Sequence, residues 1–127
     1  ELREKRNLTY LFITHDLATA RLICNRIAVM YLGKIVEMGP CDSVISRPYH
    51  PYAQALVAAI PEPDPSNRLK MRKLRIKGEV PSAVSIPPGC RFHPRCPDAF
   101  ERCAKEDPPM VEIEPEHYVA CWLYAKK

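Results

Sequence analysis

The fold class depends on the stretch Leu8-Thr9-Tyr10-Leu11-Phe12-Ile13, an almost unbroken run of apolar and β-branched residues. Polar residues flank the run, a pattern typical of a strand that is buried on both faces of a parallel sheet. Parallel strands are joined through crossover helices. The chain offers a single helix-to-strand step before it turns to an expected antiparallel edge, so the parallel neighbours of this strand are missing. We therefore expect residues 1–60 to be the C-terminal part of a larger α/β domain.

The residues around this run predict short helices and a pair of strands. Upstream, a charged helix tail is expected to end where Asn7 takes the left-handed conformation. Downstream, Asp16 is a favourable N-cap for a helix. That helix carries four apolar positions on one face, Leu17, Ala20, Ile23 and Cys24. Two strands follow on either side of Gly33, as a hairpin or tight bend. Asp42 is expected to cap a short helix, and Pro51 to begin another.

Proline content divides the chain near residue 60. Eleven of the 14 prolines lie at or after Pro61. Residues 61–67 are therefore expected to form a stiff, extended linker. Residues 68–127 are expected to form a small, irregular α+β domain, and beyond residue 77 they contain few periodic apolar positions. A segment of this size is too small to be stabilised by a hydrophobic core alone. A covalent or metal-ligand link is therefore expected to stabilise it.

The cysteines are the candidates for that link. The second part holds four of the six, in the spacing C-x5-C-x6-C-x17-C, at Cys90, Cys96, Cys103 and Cys121. Four thiolates favour a metal site or an iron–sulfur cluster, because ligation supplies folding free energy that a small core lacks. Zinc is the alternative metal, with His93 and His117 as further ligands, although no CxxC turn is present. Two disulfides, or free thiols, are the remaining interpretations of the four cysteines. Cys24 and Cys41 are interpreted as buried or incidental thiols.

His15 is the remaining candidate site residue. It follows the C-terminal end of the predicted buried strand, where open α/β sheets place groups that contact ligands. A histidine with only a structural role fits the same position. The 4 glycines are spaced so that neither a GxxxxGKS/T loop nor a GxGxxG loop can form. No Ser/His/Asp triad or HExxH motif is present, so these residues alone supply no catalytic machinery.

Residues 68–77 form a basic stripe, in which six cations alternate with apolar side chains. The stripe predicts a solvated amphipathic strand, or else a basic surface for nucleic acid or acidic lipid. No aromatic residue lies within it for base stacking, and the net charge of +4 is mild. We therefore expect no nucleic-acid partner. No apolar run approaches the ~18 residues of a membrane span.

Several motifs resemble one transporter family. Residues 11–17 (LFITHDL) and 27–39 (IAVMYLGKIVEMG) resemble the end of an ABC-transporter ATPase domain. Other segments are similar to the oligopeptide/dipeptide importer subfamily and its C-terminal extension, namely 50–52 (HPY), 60–61 (IP), 78–82 (GEVPS) and 89–97 (GCRFHPRCP). The resemblance covers nearly the whole chain, and the cysteine segment is its most specific part.

The resemblance implies roles for individual residues. His15 matches the switch histidine of the H-loop, which in the family contacts the γ-phosphate of ATP and helps to position the attacking water. Cys90, Cys96, Cys103 and Cys121 match cysteines that in such subunits can hold a 4Fe-4S cluster. Asn25 stands where many relatives have an acid. The Walker A loop, the Walker B acid and the signature loop are absent from these residues, so we expect the chain to be inactive alone.

The resemblance also implies a parent protein and its partners. The parent is expected to bind ATP with magnesium and to hydrolyse it, driving peptide uptake at the cytoplasmic face of the cell membrane. Its expected partners are a second ATP-binding subunit, transmembrane permease subunits and, indirectly, a solute-binding protein. Residues 68–127 are expected to form a regulatory or assembly extension, and the fragment to form a homo-oligomer. The alternative is a standalone metal-stapled module that binds an acidic partner through residues 68–77.

Overall fold

The computed structural model describes residues 5–60, 76–82 and 84–125. The predicted linker 61–67 and residues 68–75 of the basic stripe lie outside the described residues. The elements follow in the order α1 (Leu17–Ile23), β1 (Arg26–Tyr31), β2 (Lys34–Pro40), α2 (Cys41–Ser46), α3 (Pro51–Ala58), α4 (Glu101–Lys105), β3 (Met110–Glu114) and β4 (His117–Ala120). The chain is thus a mixed α/β protein with short helices.

All four strands belong to one antiparallel sheet with the order β1-β2-β4-β3. A two-residue turn joins β1 to β2, since Tyr31 pairs with Lys34. Its central residues Leu32 and Gly33 have φ angles of 45° and 78°. A type I′ turn requires positive φ at both central positions. Hairpins favour this turn because its backbone twist matches the twist of the two strands. The predicted hairpin around Gly33 is confirmed.

The centre of the sheet joins strands that lie far apart in the sequence. Glu37 and Met38 of β2 pair with Val119 and Tyr118 of β4. The β3–β4 hairpin therefore extends a sheet begun by the first hairpin. Residues on both sides of the predicted boundary near residue 60 share backbone hydrogen bonds, while the boundary itself stays a prediction.

The segment of residues 8–13 forms no strand. Leu11 is 94% exposed and Ile13 is 90% exposed. The prediction of a buried, parallel-type strand is therefore wrong for this chain as described. A strand buried on both faces needs hydrogen-bonded neighbours and covering layers. The described part of the chain places neither against this segment.

Local signals locate the helix starts. Asp16 is the N-cap of α1, and its side chain accepts a hydrogen bond from the Ala18 amide, as predicted. Asp42 is not the cap of α2: Pro40 takes that position without a side-chain bond, and Asp42 lies in the first turn. An acid there interacts favourably with the helix dipole. Of the predicted apolar face of α1, only Ala20 is buried.

The other predicted helix ends agree with the structure. Asn7 has a φ angle of 49°, as expected for a residue that closes a helix in the left-handed conformation. Pro51 opens α3, where its missing N–H leaves no hydrogen bond unmade. Within the described ranges, no helix is long and apolar enough to cross a membrane.

The hydrophobic core contains side chains from both sides of the predicted boundary near residue 60. Its buried members are Val29, Tyr31, Val36, Val44, Ala53 and Phe92. Phe92, from the cysteine segment, is 1% exposed and meets the ring of Tyr31 edge-on at 5.1 Å between centroids. Edge-to-face aromatic pairs are favourable beyond the area that they bury. The cysteine segment therefore packs into the same core as the β1–β2 hairpin.

Candidate functional site

His15 lies at the surface, next to Asp16, the N-cap of α1. The turn is held by Asp16, whose N–H donates to Thr14 Oγ1 at 3.0 Å and whose Oδ1 accepts from the Ala18 amide at 2.9 Å. The hydrogen bond from the Thr19 hydroxyl is the main reason that the pKa of Asp16 lies below its ordinary value. The hydrogen bonds of Asp16 thus fix the backbone on which the imidazole is presented.

The geometry limits what His15 does chemically. Its ring makes no hydrogen bond within the part of the chain that the structure describes. The carboxylate of the neighbouring Asp16 accepts hydrogen bonds from the Ala18 amide and the Thr19 hydroxyl. An exposed imidazole of this kind can donate to, or accept from, a group that another chain or ligand brings.

The cysteine pocket brings together the four predicted cysteines, Cys90, Cys96, Cys103 and Cys121. Cys90 and Cys96 lie at the two ends of a tight turn around Phe92, in which the Cys96 amide donates to the Phe92 carbonyl at 3.0 Å. Cys103 belongs to α4, and its carbonyl accepts from the Cys90 amide at 2.8 Å. Cys121 directly follows β4. Three separate parts of the chain therefore build the pocket.

Burial controls the chemistry of these thiols. It raises the pKa of Cys121 to about 12 and that of Cys96 to about 11, and it raises the pKa of Cys90 as well. The neighbouring cysteines add to each of these shifts, so the four side chains lie close enough to interact electrostatically. All four are free rather than bridged. At neutral pH, Cys90, Cys96 and Cys121 are therefore protonated.

Gly89 allows the close approach on which the pocket depends. It has a φ angle of +66°, and a Cβ atom there would lie 2.5 Å from the Cys103 carbonyl oxygen. No real side chain tolerates that distance from backbone. Glycine is therefore required where the Cys90 turn meets α4.

The placement of potential metal ligands is the next feature of the pocket. Among residues 5–60, 76–82 and 84–125, no group of three or more His, Cys, Asp or Glu side chains is placed to hold a metal ion. The two histidines considered as zinc ligands have other partners: His93 Nδ1 donates to the Cys90 carbonyl at 2.8 Å, and His117 binds Glu37.

Glu37 is the acceptor of a buried polar cluster. Its carboxylate, fully buried in β2, accepts from the Tyr49 amide at 3.0 and 3.1 Å and from the His50 amide at 2.7 Å. His117 Nε2, equally buried in β4, lies 2.7 Å from Oε1. All of these partners are N–H groups, which is what a buried carboxylate needs. We call these four residues the Glu37 cluster.

The Glu37 cluster joins three elements. Glu37 lies on β2, His117 begins β4, and Tyr49 and His50 directly precede α3. Gly39 makes room for the histidine, because a Cβ atom there would lie 3.1 Å from the Cα of His117. The Nδ1 atom of His117 is buried without a hydrogen-bond partner within the described chain. One carboxylate therefore holds the C-terminal strand and the start of α3 against the central strand.

His50 has a second role at the start of α3. Its Nδ1 accepts from the Tyr52 amide at 3.1 Å, which makes the side chain the N-cap of the helix. Burial lowers the pKa of His50 to about 4. A neutral ring is required here, since a protonated Nδ1 has no lone pair with which to accept the bond.

Sequence reasoning missed the Glu37 cluster. It treated Glu37 as an ordinary strand residue and His117 only as a further ligand for the alternative zinc site. One signal was available: Glu37 lies between Val36 and Met38, in a strand whose other charged residue is Lys34 at its first position. A carboxylate at such a position is stable only with buried partners. The identity of those partners required the tertiary structure.

Comparisons with known proteins point to one family. The family described as "Oligopeptide/dipeptide transporter, C-terminal region" matches residues 36–103. The matched range covers β2 from Val36 onward, all of α2 and α3, and the turn that holds Cys90 and Cys96. It thus includes the cysteine segment that is the most specific part of the chain.

Three curated relatives align with nearly the whole chain. A probable peptide ABC transporter ATP-binding protein of Sinorhizobium fredii is 47% identical over 125 residues, 98% of this chain and 35% of the relative. An oligopeptide transport ATP-binding protein of Bacillus subtilis is 45% identical over 98% of this chain and 38% of its own length. A putative peptide import ATP-binding protein of Brucella ovis is 45% identical over 95% and 38%. The chain therefore spans little more than a third of these relatives.

Proposed function

Because the chain belongs to the family of oligopeptide/dipeptide transporter C-terminal regions, we propose that it is part of the ATP-binding subunit of an ABC importer for peptides. The observation that carries this proposal is identity of 45–47% to peptide-transport ATP-binding proteins over almost the entire chain. The parent would bind ATP with magnesium and use its hydrolysis to drive uptake. By the spacing of its glycines, this chain supplies no loop for the phosphates.

We propose that His15 is the residue through which this chain takes part in ATP hydrolysis. The imidazole is exposed, and the capped start of α1 fixes its backbone. Phosphoryl transfer depends mainly on positioning and on electrostatic stabilisation of the transferred group. A ring that donates a hydrogen bond to the γ-phosphate, while orienting the attacking water, would supply both.

The exposed apolar segment of residues 8–13 supports a place inside a larger domain. Four of its six side chains are large hydrophobic groups with at least 50% exposure, namely Tyr10, Leu11, Phe12 and Ile13. Contiguous exposed apolar surface marks a contact with another part of a protein. We propose that the preceding part of the ATP-binding domain pairs with this segment and buries it. In the chain alone, the same segment would favour homo-oligomers.

The proposed partners follow from the proposed role. They are a second ATP-binding subunit, the transmembrane permease subunits and, indirectly, a solute-binding protein. The subunit would lie peripherally at the cytoplasmic face of the membrane. The β3–β4 hairpin and the cysteine pocket would form its regulatory or assembly extension.

The experiment that tests the role of His15 uses the whole ATP-binding subunit, assembled with its permease. We expect the substitution His15→Ala to lower kcat for ATP hydrolysis on the order of 10²-fold, as does the loss of one transition-state donor in other enzymes. The KM for ATP should change much less, since most contacts to the nucleotide would come from other residues. Steady-state ATPase assays at several ATP concentrations measure both constants.

The control for this experiment is Lys105→Ala, an exposed cation at the end of α4. That substitution should leave ATP hydrolysis within about twofold of the wild type, because surface changes away from a site are usually mild. Equal activity of His15→Ala and the wild type would overturn the proposed role. Steady ATP turnover by the 127-residue chain alone would contradict the proposal that it is only part of the ATPase.

Metal binding by the cysteine pocket stays a prediction, with a 4Fe-4S cluster or zinc as candidates. The support is that four free thiols from three parts of the chain converge there. The pocket would have to deprotonate and rearrange on loading, because thiolates are the ligands. Anaerobic purification followed by iron, sulfide and zinc analysis tests this. Metal-free protein in which all four thiols react with a thiol reagent would refute it.

A further inference from the structure

Cys24 and Cys41 lie near each other, where the end of α1 contacts the start of α2. The Cys24 amide donates to the Ala20 carbonyl at 2.9 Å, and the Sγ of Cys41 lies 3.8 Å from the same oxygen. The Cys41 amide donates to the carbonyl of Asn25, the residue after Cys24, at 2.9 Å. Both cysteines thus contact the same short stretch of backbone, residues 20–25, although 16 other residues separate them in the sequence.

The two thiols differ in access. Cys41 is 3% exposed, whereas Cys24 is half-buried, and both are free. Burial raises the pKa of the Cys41 thiol, and the nearby Cys24 is the next cause of that shift. A reagent from solution therefore reaches Cys24 before it reaches Cys41.

We propose that Cys24 and Cys41 form a redox pair, a dithiol that low-molecular-weight disulfides such as glutathione disulfide convert into an intramolecular disulfide. This goes beyond the interpretation of the two residues as buried or incidental thiols. The pair is separate from the cysteine pocket, and it does not depend on the proposed role in ATP hydrolysis.

The exchange balances without any further reagent. The Cys24 thiolate attacks one sulfur of glutathione disulfide, forming a mixed disulfide and releasing one glutathione thiolate, which takes up a proton. The Cys41 thiol then gives up its proton, and its sulfur attacks the Cys24 sulfur. The S–S bond between the two residues forms, and the second glutathione leaves. Two thiols of the protein are oxidised, and one glutathione disulfide is reduced to two thiols.

The location gives the disulfide a structural effect. Helix α1 is lightly attached to the rest of the fold: only Ala20 is buried, while Leu22 is 85% exposed and Ile23 is 52% exposed. A bond from Cys24 to Cys41 would close a loop around the β1–β2 hairpin and tie α1 to α2. Because His15 lies next to the N-cap of α1, oxidation would restrict the position of that histidine.

The test uses the reduced 127-residue chain, incubated anaerobically with glutathione disulfide, then alkylated and digested with trypsin. Cleavage after Arg21, Arg26 and Lys34 leaves Cys24 and Cys41 on separate peptides. We expect mass spectrometry to find these two peptides joined by a disulfide. We also expect oxidation to slow hydrogen exchange of the α1 amides, and dithiothreitol to restore it.

Two variants make the test decisive. In Cys41→Ser, Cys24 should stop at the mixed disulfide with glutathione, and in Cys24→Ser, Cys41 should remain reduced. Exchange in α1 should then stay as in the reduced wild type in both variants. The proposal is overturned if wild-type Cys24 accumulates as the glutathione adduct or stays reduced. A bond from either residue to the cysteine pocket or to a second chain also overturns it.

Discussion

At the scale of single residues, the Glu37 cluster is the feature that most constrains the fold. Glu37 and His117 are both fully buried, and 79 other residues separate them in the sequence. A buried carboxylate without donors is expensive, and so are buried N–H groups without an acceptor. Each member of the cluster is therefore stable only while the others are in place.

We predict that Glu37→Ala lowers the free energy of unfolding by about 3–5 kcal/mol, the range for breaking a buried pair. The substitution leaves His117 and the amides of Tyr49 and His50 without their acceptor. Urea denaturation measures the change. The control is Glu101→Ala, which removes an exposed pair with Lys105 and should cost less than about 1 kcal/mol. Similar losses in both variants would show that the cluster is not a stabilising centre.

His50 predicts a pH dependence of stability. Its pKa is about 4 in the folded chain and 6.5 ordinarily, so the unfolded chain binds the proton more readily. The contribution is complete above pH 6.5 and is lost as the pH falls to about 4. The shift corresponds to roughly 3 kcal/mol.

Asparagine keeps an N-cap acceptor without titrating. His50→Asn should therefore lose about 3 kcal/mol less than the wild type between pH 7 and 4. Parallel stability curves would contradict this.

At the scale of elements, the contact between the Cys90 turn and α4 depends on one glycine. The Cys90 amide donates to the Cys103 carbonyl, and the backbone of Gly89 lies close to the same oxygen. The helix has only five residues, Glu101–Lys105, too few to be stable alone. Its position, and with it that of Cys103, therefore depends on contacts with the rest of the fold, of which this is one and the stacking of Arg102 on Trp122 is another.

The substitution Gly89→Ala tests this contact against a matched control, Gly78→Ala. Both glycines have a φ angle of +66°, so alanine is strained equally at both. At Gly89 the new Cβ also meets the Cys103 oxygen at 2.5 Å, whereas nothing lies within 4 Å at Gly78. We expect Gly89→Ala to cost about 1–3 kcal/mol more, as overpacking does. Thermal unfolding compares the two, and equal losses would rule out the clash.

At the scale of the whole molecule, one sheet and one core join the first hairpin to the C-terminal part. β2 pairs with β4, and Phe92 packs against Tyr31 and Tyr52. Proteins joined in this way unfold as one cooperative unit. Unfolding of the hairpin and of the cysteine pocket should therefore coincide.

We predict that Phe92→Ala destabilises both parts together, by about 3–5 kcal/mol. In urea, the thiols of Cys41 and Cys121 should become reactive at the same midpoint, and the variant should shift both midpoints equally. Phe100→Ala is the control, because that side chain is 46% exposed and its loss should cost far less. Separate midpoints for the two thiols would show that the parts unfold independently.

Sequence alone determined the features that neighbouring residues build. The turn at Gly33, the N-cap at Asp16, the left-handed Asn7 and the helix start at Pro51 were all predictable. Each depends on backbone geometry and hydrogen bonds within a few residues. The family was recognisable for a related reason, since its motifs are contiguous in the chain.

Only the tertiary structure decided which distant groups meet. It exposed the apolar segment of residues 8–13, paired β2 with β4, gathered the four cysteines, and placed His117 on Glu37. Apolar character says that a residue seeks burial, but burial depends on the neighbours that the chain supplies. A charged residue in an apolar strand signals a buried partner without identifying it. Contacts across 80 positions follow from how the elements pack, which no local pattern encodes.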